Sequence, residues 1–562
     1  MPDSQVAPSS AIAKQQEPLI VNGDVEAQAQ ARAKGKVSYS SLPNKKQLAI
    51  LCIARLADPL AASSIQTYMF YQLRFFNPSA SEALISTQAG IIVGSKTAAQ
   101  VCTGMLWGRL ADSEYGGRKT VLMIGLICSG ISCIGYGLSK TFVSAVAWQV
   151  FGGAMSSNVG IVRCVVAELN PEKRYRTRAL LLLPLFANAG MLLGPLVGGL
   201  LSSENGNGVL KAFPYAPPNI FAAAIYTIAA ISVFLGLEET LEHFKHHEGS
   251  IIQRLWKKVT TRSHTPSHGY TVIDSSEPNS PESTVTLVNF PEPSSNSNSG
   301  ASKPKARLPF RRIWTWNVLC TMLAHFIIAG HIATFTNLWA IFLSTPLSDP
   351  KTQHAPFQFS GGLSMQPREV GFAMSTLGAI GVTLQLVIYP MLNDRFGTIR
   401  IWRAALFVFP VAYALAPFPA LIGSLEITSV SGRAIIVWIS VGFVLLLFVV
   451  GRTGVTPATT LLINDCTPHP SVRGTIHTAG TVIGNLSRSF FPVIAFAIFG
   501  KGLEVGVVGL GFWCLACLGI LACVASRWVE QGSNGREIVL EGEEPVQEQQ
   551  TSGNVGHKNG GK

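Results

Sequence analysis

Twelve apolar stretches, each long enough to cross a lipid bilayer as a helix, constrain this 562-residue chain more than any other feature. A hydrocarbon core about 30 Å thick takes ~20 residues of helix. The stretches near 47–66, 86–108, 120–138, 142–162, 179–202 and 217–237 meet that length. A second set follows near 314–343, 369–392, 402–424, 434–456, 474–499 and 503–526. Gly and Pro recur inside several of them, which lipid-embedded helices tolerate because neighbours re-satisfy the backbone. A membrane barrel would show short alternating strands instead. Only 13% of the residues are charged, about half of what a soluble chain carries, which argues against a soluble enzyme. The expected fold is an all-α membrane protein, with twelve transmembrane helices in two pseudo-symmetric six-helix bundles.

Polar segments frame the two sets. Residues 1–46 lack the apolar region of a secretory signal and read as a disordered cytosolic tail. Residues 238–313 contain Ser-Ser-Glu-Pro-Asn-Ser-Pro-Glu-Ser-Thr and Pro-Ser-Ser-Asn-Ser-Asn-Ser-Gly, and read as a disordered linker with little to bury. Residues 528–562 read as a second tail, leaving bundles over 47–237 and 314–527. With the N-terminus inside, four short inner loops hold 12 Lys and Arg, against 7 in six outer loops. Lys45-Lys46 and Arg311-Arg312 flank the first and seventh stretches on the inner side. The positive-inside rule then places both termini in the cytosol, with the plasma membrane favoured over the vacuolar one. This asymmetry accounts for the net charge of +12, and no nucleic-acid partner is implied.

Two loops repeat. Gly104-Met-Leu-Trp-Gly108-Arg-Leu-Ala-Asp112-Ser-Glu-Tyr-Gly-Gly117-Arg118-Lys119 joins the second and third stretches. Pro390-Met-Leu-Asn-Asp394-Arg395-Phe-Gly397-Thr-Ile-Arg400 joins the eighth and ninth. Each places an Asp where an even-numbered helix exits, then a Gly turn, then basic residues. The two Asp are 282 positions apart, as expected of a carrier built from two six-span halves. With its twelve spans, the chain resembles the major facilitator superfamily over about 47–237 and 312–527. The first loop departs from the family pattern, because Ser-Glu-Tyr separates Asp112 from Gly116-Gly117 where two residues are usual. The second has Pro390 in place of Gly. The resemblance implies a gating loop whose Asp engages basic residues and the positive end of a helix, stabilising the state open to the outside. A plainer reading makes Asp112 a cap of the third span.

The fifth stretch contains Asn188-Ala-Gly190-Met-Leu-Leu-Gly194-Pro195-Leu-Val-Gly198-Gly199. Gly at four-residue spacing lines one helix face for close packing, and Pro195 permits a bend. The run resembles the fifth-span motif of the family's proton-driven exporters. The fourth span lacks the Arg those exporters usually carry, with Trp148-Gln149-Val-Phe-Gly152-Gly153 in that region. Arg55-Leu-Ala-Asp58-Pro59, Asn158-Val-Gly160 and Leu462-Ile-Asn464-Asp465-Cys-Thr-Pro468 are similar to the zinc-induced-facilitator-like and fungal multidrug exporter branch.

A charge at mid-bilayer costs at least ~2.5–3.5 kcal/mol, so each one needs a reason. Arg55, Lys96, Arg452 and Arg488 are the basic residues placed well inside spans, and Asp58 is the acid. In one reading Asp58 takes up and releases a coupling proton, with Arg55 or Lys96 as a switchable partner. In the other, Arg55 and Asp58, three apart on one helix face, form a permanent ion pair. Lys96 and Arg488 read as attractors of an anionic cargo group, and Arg452 as a side chain snorkelling to the inner interface. His325 and His331 lie about 240° apart around the helix, so no metal site is expected. Cys514-Leu-Ala-Cys517 lies in an apolar run and reads as small lipid-compatible side chains rather than a redox or metal pair. Gly90-Ile-Ile-Val-Gly94-Ser-Lys96-Thr97 lacks the Gly-Lys-Ser/Thr ending of a nucleotide loop, so no cofactor is expected and a gradient must supply the energy.

The expected function is secondary transport: proton-coupled efflux of a small organic compound by alternating access, without enzymatic chemistry. The implied partners are cargo, protons and the lipid bilayer, with no obligatory protein partner. Transport of a metal ion or organic acid, and nutrient sensing on the same fold, are the alternatives.

Overall fold

The computed structural model describes residues 41–113, 116–156, 158–202, 209–240, 310–354, 356–424, 430–469, 472–530 and 532. The expected tails up to 40 and beyond 532, and the linker over 241–309, lie outside the described residues.

The first half contains α1 (Lys45–Phe76), α2 (Glu82–Asp112), α3 (Arg118–Gly137), α4 (Phe142–Met155, continuing as Asn158–Leu169), α5 (Lys173–Leu201) and α6 (Ala216–Gly236). The second begins with α7 (Trp316–Ser344). In α8, Pro367–Thr383 passes through a π-helical turn, Leu384–Ile388, into Tyr389–Phe396. Thr398–Leu406, Val408–Leu415 and Phe418–Ser424 make up α9, followed by α10 (Val430–Asp465), α11 (Arg473–Glu504) and α12 (Gly509–Ala525).

Among the described residues, 11 helices are long and apolar enough to cross a membrane. The exception among these units is α2, which has 31 residues and a length of about 46 Å at 1.5 Å per residue. Gln88, Lys96 and Gln100 dilute its apolar character. Eleven spans with this further long helix are consistent with the expected twelve. Several helices outrun the apolar stretches that announce them: α1, α10 and α11 have 32, 36 and 32 residues. Polar residues such as Gln72 and Arg74 end the apolar run of α1 but not its helix.

Local chemistry sets the ends and breaks. Ser81, Thr141 and Thr315 cap α2, α4 and α7 by accepting from backbone N–H groups at 3.2–3.4 Å. The break in α4 follows Ser156, whose backbone is extended. There Trp107 of α2 donates its indole N–H to the Ala154 carbonyl at 2.6 Å, satisfying a group that the interrupted helix leaves open.

The two loops predicted to repeat share one backbone conformation. Gly117 precedes α3 with φ 77° and ψ 155°, and Gly397 precedes α9 with φ 78° and ψ 158°. This region is essentially restricted to glycine. The first loop is two residues longer, and Gly117 rather than Gly116 is the equivalent position.

The halves meet along two seams. On the α2–α11 seam, Ser86 donates to the Phe496 carbonyl at 2.9 Å and Thr97 to the Arg488 carbonyl at 3.2 Å. On the α5–α8 seam, Ser375 donates to the Leu192 carbonyl at 3.0 Å. Between them, Gln66 of α1 donates to Asn337 of α7 at 2.9 Å, and Tyr71 to the Met365 carbonyl at 2.6 Å. These contacts fall in the half of the bundle remote from Lys45, where α1 begins. Toward the face where α1 begins, Gly104 and Gly108 of α2 and Gly160 of α4 have nothing within 4 Å of a Cβ position. The contacts between the halves therefore gather at the far face, while these glycines stand open toward the face where α1 begins.

Candidate functional site

Charged side chains gather where the halves part. Asp58 of α1 accepts a hydrogen bond from the Tyr226 hydroxyl of α6 at 2.7 Å. Of the two readings for Asp58, the permanent ion pair with Arg55 does not form: among the described residues, no carboxylate lies within 4.0 Å of Arg55. Arg55 instead lies within electrostatic reach of Asp58, Arg163 and Arg488 together.

Arg163 is a member that the sequence reading assigned to an inner loop. It sits on the second piece of α4, seven residues beyond Ser156, which pushes the fourth span past its expected end at 162. The apolar neighbours Ile161, Val162, Val165 and Val166 are all buried and were the available signal. Arg488 sits on the α2–α11 seam, with its guanidinium 3.4 Å from Asn485 Oδ1. It lies within electrostatic reach of His325 on α7. Arg163 and Arg488 also act on one another. Both side chains are exposed, and their helices belong to opposite halves.

Lys96 points the other way, into the first half. It lines a small cavity with Ile65, Ser132, Cys133, Tyr136 and Gln149. Lys96 and Asp58 both act electrostatically on Cys133, which lines this cavity. Arg452 does not snorkel. Its Nη2 donates to Asn188 Oδ1 at 3.2 Å, and Asn188 donates to Gln385 in the π-helical turn. Helices α10, α5 and α8 are thus tied across the halves. His331 is buried, with Nδ1 2.8 Å from the Tyr413 hydroxyl, and serves packing.

The first of the two repeated loops forms an ion cluster inside its own half. Arg118 Nη2 lies 3.1 Å from Asp112 and 2.8 Å from Glu168 at the end of α4. The Arg118 and Lys119 backbone N–H groups donate to the Glu239 carboxylate, each at 3.0 Å, at the positive end of α3. Lys119 Nζ donates to the Phe234 carbonyl at 2.9 Å. Asp112 therefore engages a base near the start of the third helix. Glu168 and Glu239, which complete the cluster, come from sequence positions the motif does not include. In the second loop Arg395 lies over the Phe396 ring at 5.4 Å, and the Asp394 side chain lies outside those described.

The glycine motif of α5 has two faces. A Cβ on Gly190, Gly194 or Gly198 would strike α1 at Leu56, Leu60 or Ser64 backbone atoms. A Cβ on Gly199 would meet the Pro367 carbonyl at 2.5 Å, and one on Gly371 the Pro195 carbonyl at 2.5 Å. One face seats α5 on α1 within its half, and the other carries the contact with α8.

Two helical halves that touch at one face and hold charged groups between them define a polytopic carrier. The chain belongs to the Major Facilitator Superfamily, whose profile matches residues 51–492. It is 27% identical over 532 residues to the "Major facilitator superfamily multidrug transporter mfsB" of Aspergillus fumigatus, covering 90% of this chain and 86% of that one. It is 21% identical over 367 residues to "Protein ZINC INDUCED FACILITATOR 1" of Arabidopsis thaliana, covering 64% and 66%. The D-xylose-proton symporter structure shares the fold, with a TM-score of 0.57 at 13% identity over 86% of this chain and 98% of that one. The chain is a multi-pass membrane transporter of that superfamily.

Proposed function

We propose that this transporter exports a small organic compound in exchange for protons, with Asp58 as the proton site. The observation that carries the reading is the placement of Asp58. It is held by the Tyr226 hydroxyl at 2.7 Å, forms no ion pair with Arg55, and lies within electrostatic reach of it. Ionised, Asp58 attracts Arg55 and the arginines beyond it. Protonated, it loses that attraction but keeps a hydrogen bond to Tyr226. A proton therefore changes the electrostatic balance between α1 of one half and α11 of the other, and those elements must separate or approach for the gap to change faces. With both termini in the cytosol, the open gap faces the cytosol and is poised to load cargo for export. The glycine motif of α5, shared with proton-driven exporters, and the relative named as a multidrug transporter support the direction. The plasma membrane is the proposed location.

Proteoliposomes containing the full chain test this. Collapse of the proton gradient with a protonophore should reduce net efflux of a transported dye at least tenfold. Asp58→Asn should abolish the response to the gradient while passive exchange of dye persists. Efflux that continues unchanged without a gradient, or a fully coupled Asp58→Asn variant, refutes the assignment.

A further inference from the structure

We infer that the gap between the halves binds cargo through an anionic group, a carboxylate or sulfonate, received by Arg55, Arg163 and Arg488. This deepens the proposed function by naming a substrate class.

The three guanidinium groups come from α1, α4 and α11, within mutual electrostatic reach. Gathering like charges in a membrane-embedded gap is unfavourable unless something compensates them. Among the described residues, no carboxylate lies within 4.0 Å of any of the three, or of Lys96. The groups facing them are Asp58, already bonded to Tyr226, Asn485, His325 and the Cys164 thiol. One acid thus stands against three arginines, and the chain does not complete the balance itself.

Arg163 and Arg488 are also exposed, so their guanidinium groups stand accessible to an ion entering between the halves. Guanidinium presents paired N–H donors that match a planar or tetrahedral oxyanion, whereas a cationic cargo would meet three like charges against one acid. Because the arginines belong to both halves, an anion seated among them draws α4 toward α11. Binding then favours closure of the open face. Asp58 lies on the Tyr226 side of α1, so the proton and the anion occupy separate positions.

The test uses four probes of one shape: 1-naphthoate, 1-naphthalenesulfonate, neutral 1-naphthamide and 1-naphthylmethylammonium. Binding to the purified full-length chain is read by thermal stabilisation and fluorescence titration. The two anions should bind at least tenfold more tightly than the amide, and the preference should shrink as salt rises. Arg163→Gln and Arg488→Gln should each reduce that preference severalfold, with Arg→Lys at the same positions restoring part of it. The salt titration on the unaltered chain decides the matter if the Gln variants fail to fold. Equal affinity for all four probes, absence of binding by any, or an anion preference untouched in both folded Gln variants overturns the inference. Because binding is read without flux, an anion preference in a chain that transports nothing would sink only the proposed function. Proton-driven flux of the ammonium probe without anion preference would sink only this inference.

Discussion

At Gly117 and Gly397 the backbone adopts φ 77° and 78°, a conformation that costs a residue with a Cβ about 1–3 kcal/mol. Gly117→Ala and Gly397→Ala should each destabilise the protein by that amount, visible as a lower Tm in detergent. An unchanged Tm for both would mean the loops relax freely. Arg118, held by Asp112 and Glu168 at 3.1 and 2.8 Å, should behave differently. Arg118→Ala leaves two carboxylates facing each other, so a double-mutant cycle of Arg118→Ala with Glu168→Gln should show coupling of about 0.5–3 kcal/mol. Additive effects on Tm would contradict the cluster. Single residues were legible in sequence where the backbone demanded them, as both glycines show. Pairing was not: Asp58 has Arg55 three residues away but bonds Tyr226, 168 positions along. That choice depends on which helix stands beside α1, and spacing within one helix carries no such information.

Element α5 carries its information in spacing. Gly every four residues predicted close packing, and Gly190, Gly194 and Gly198 do meet α1 backbone. The partner helix was not readable, because the order of neighbours around a bundle is set by tertiary packing. Overfilling such a seam costs about 1–3 kcal/mol or more. Gly194→Leu should therefore sharply reduce the yield of folded protein by size-exclusion chromatography, whereas Met191→Leu on the same helix, at an exposed position, should not. Equal yields would remove the packing role. The broken α4 explains why Arg163 was missed. A span of about 20 residues ends before it, and only the interruption at Ser156 lengthens the path. Arg452 was misread for a related reason, since its partner Asn188 lies on another half and its distance from the membrane surface alone suggested snorkelling.

For the whole molecule, length and apolarity were enough to announce a bundle of membrane-crossing helices, because the bilayer admits only helices or closed barrels. The division into halves was read from the repeated loops and the polar segment between them. The state in which the bundle rests was not announced, since both states bury similar stretches. The far seams show how it rests now: Gly90 and Gly94 press against Phe496, Pro492 and Val493, while Gly104 and Gly108 on the same helix touch nothing. A rocking carrier must exchange one set of contacts for the other. Bare glycines on the gaping side are then vacant berths, shaped for the moment when the bundle leans the opposite way. Wedging a bulky side chain into one of them, as in Gly104→Leu, should jam the protein in its present posture without unfolding it. Thiol-labelling of a cysteine introduced along the open face would stay fast at every proton gradient, and labelling that still slows on energisation would show that those berths are never filled.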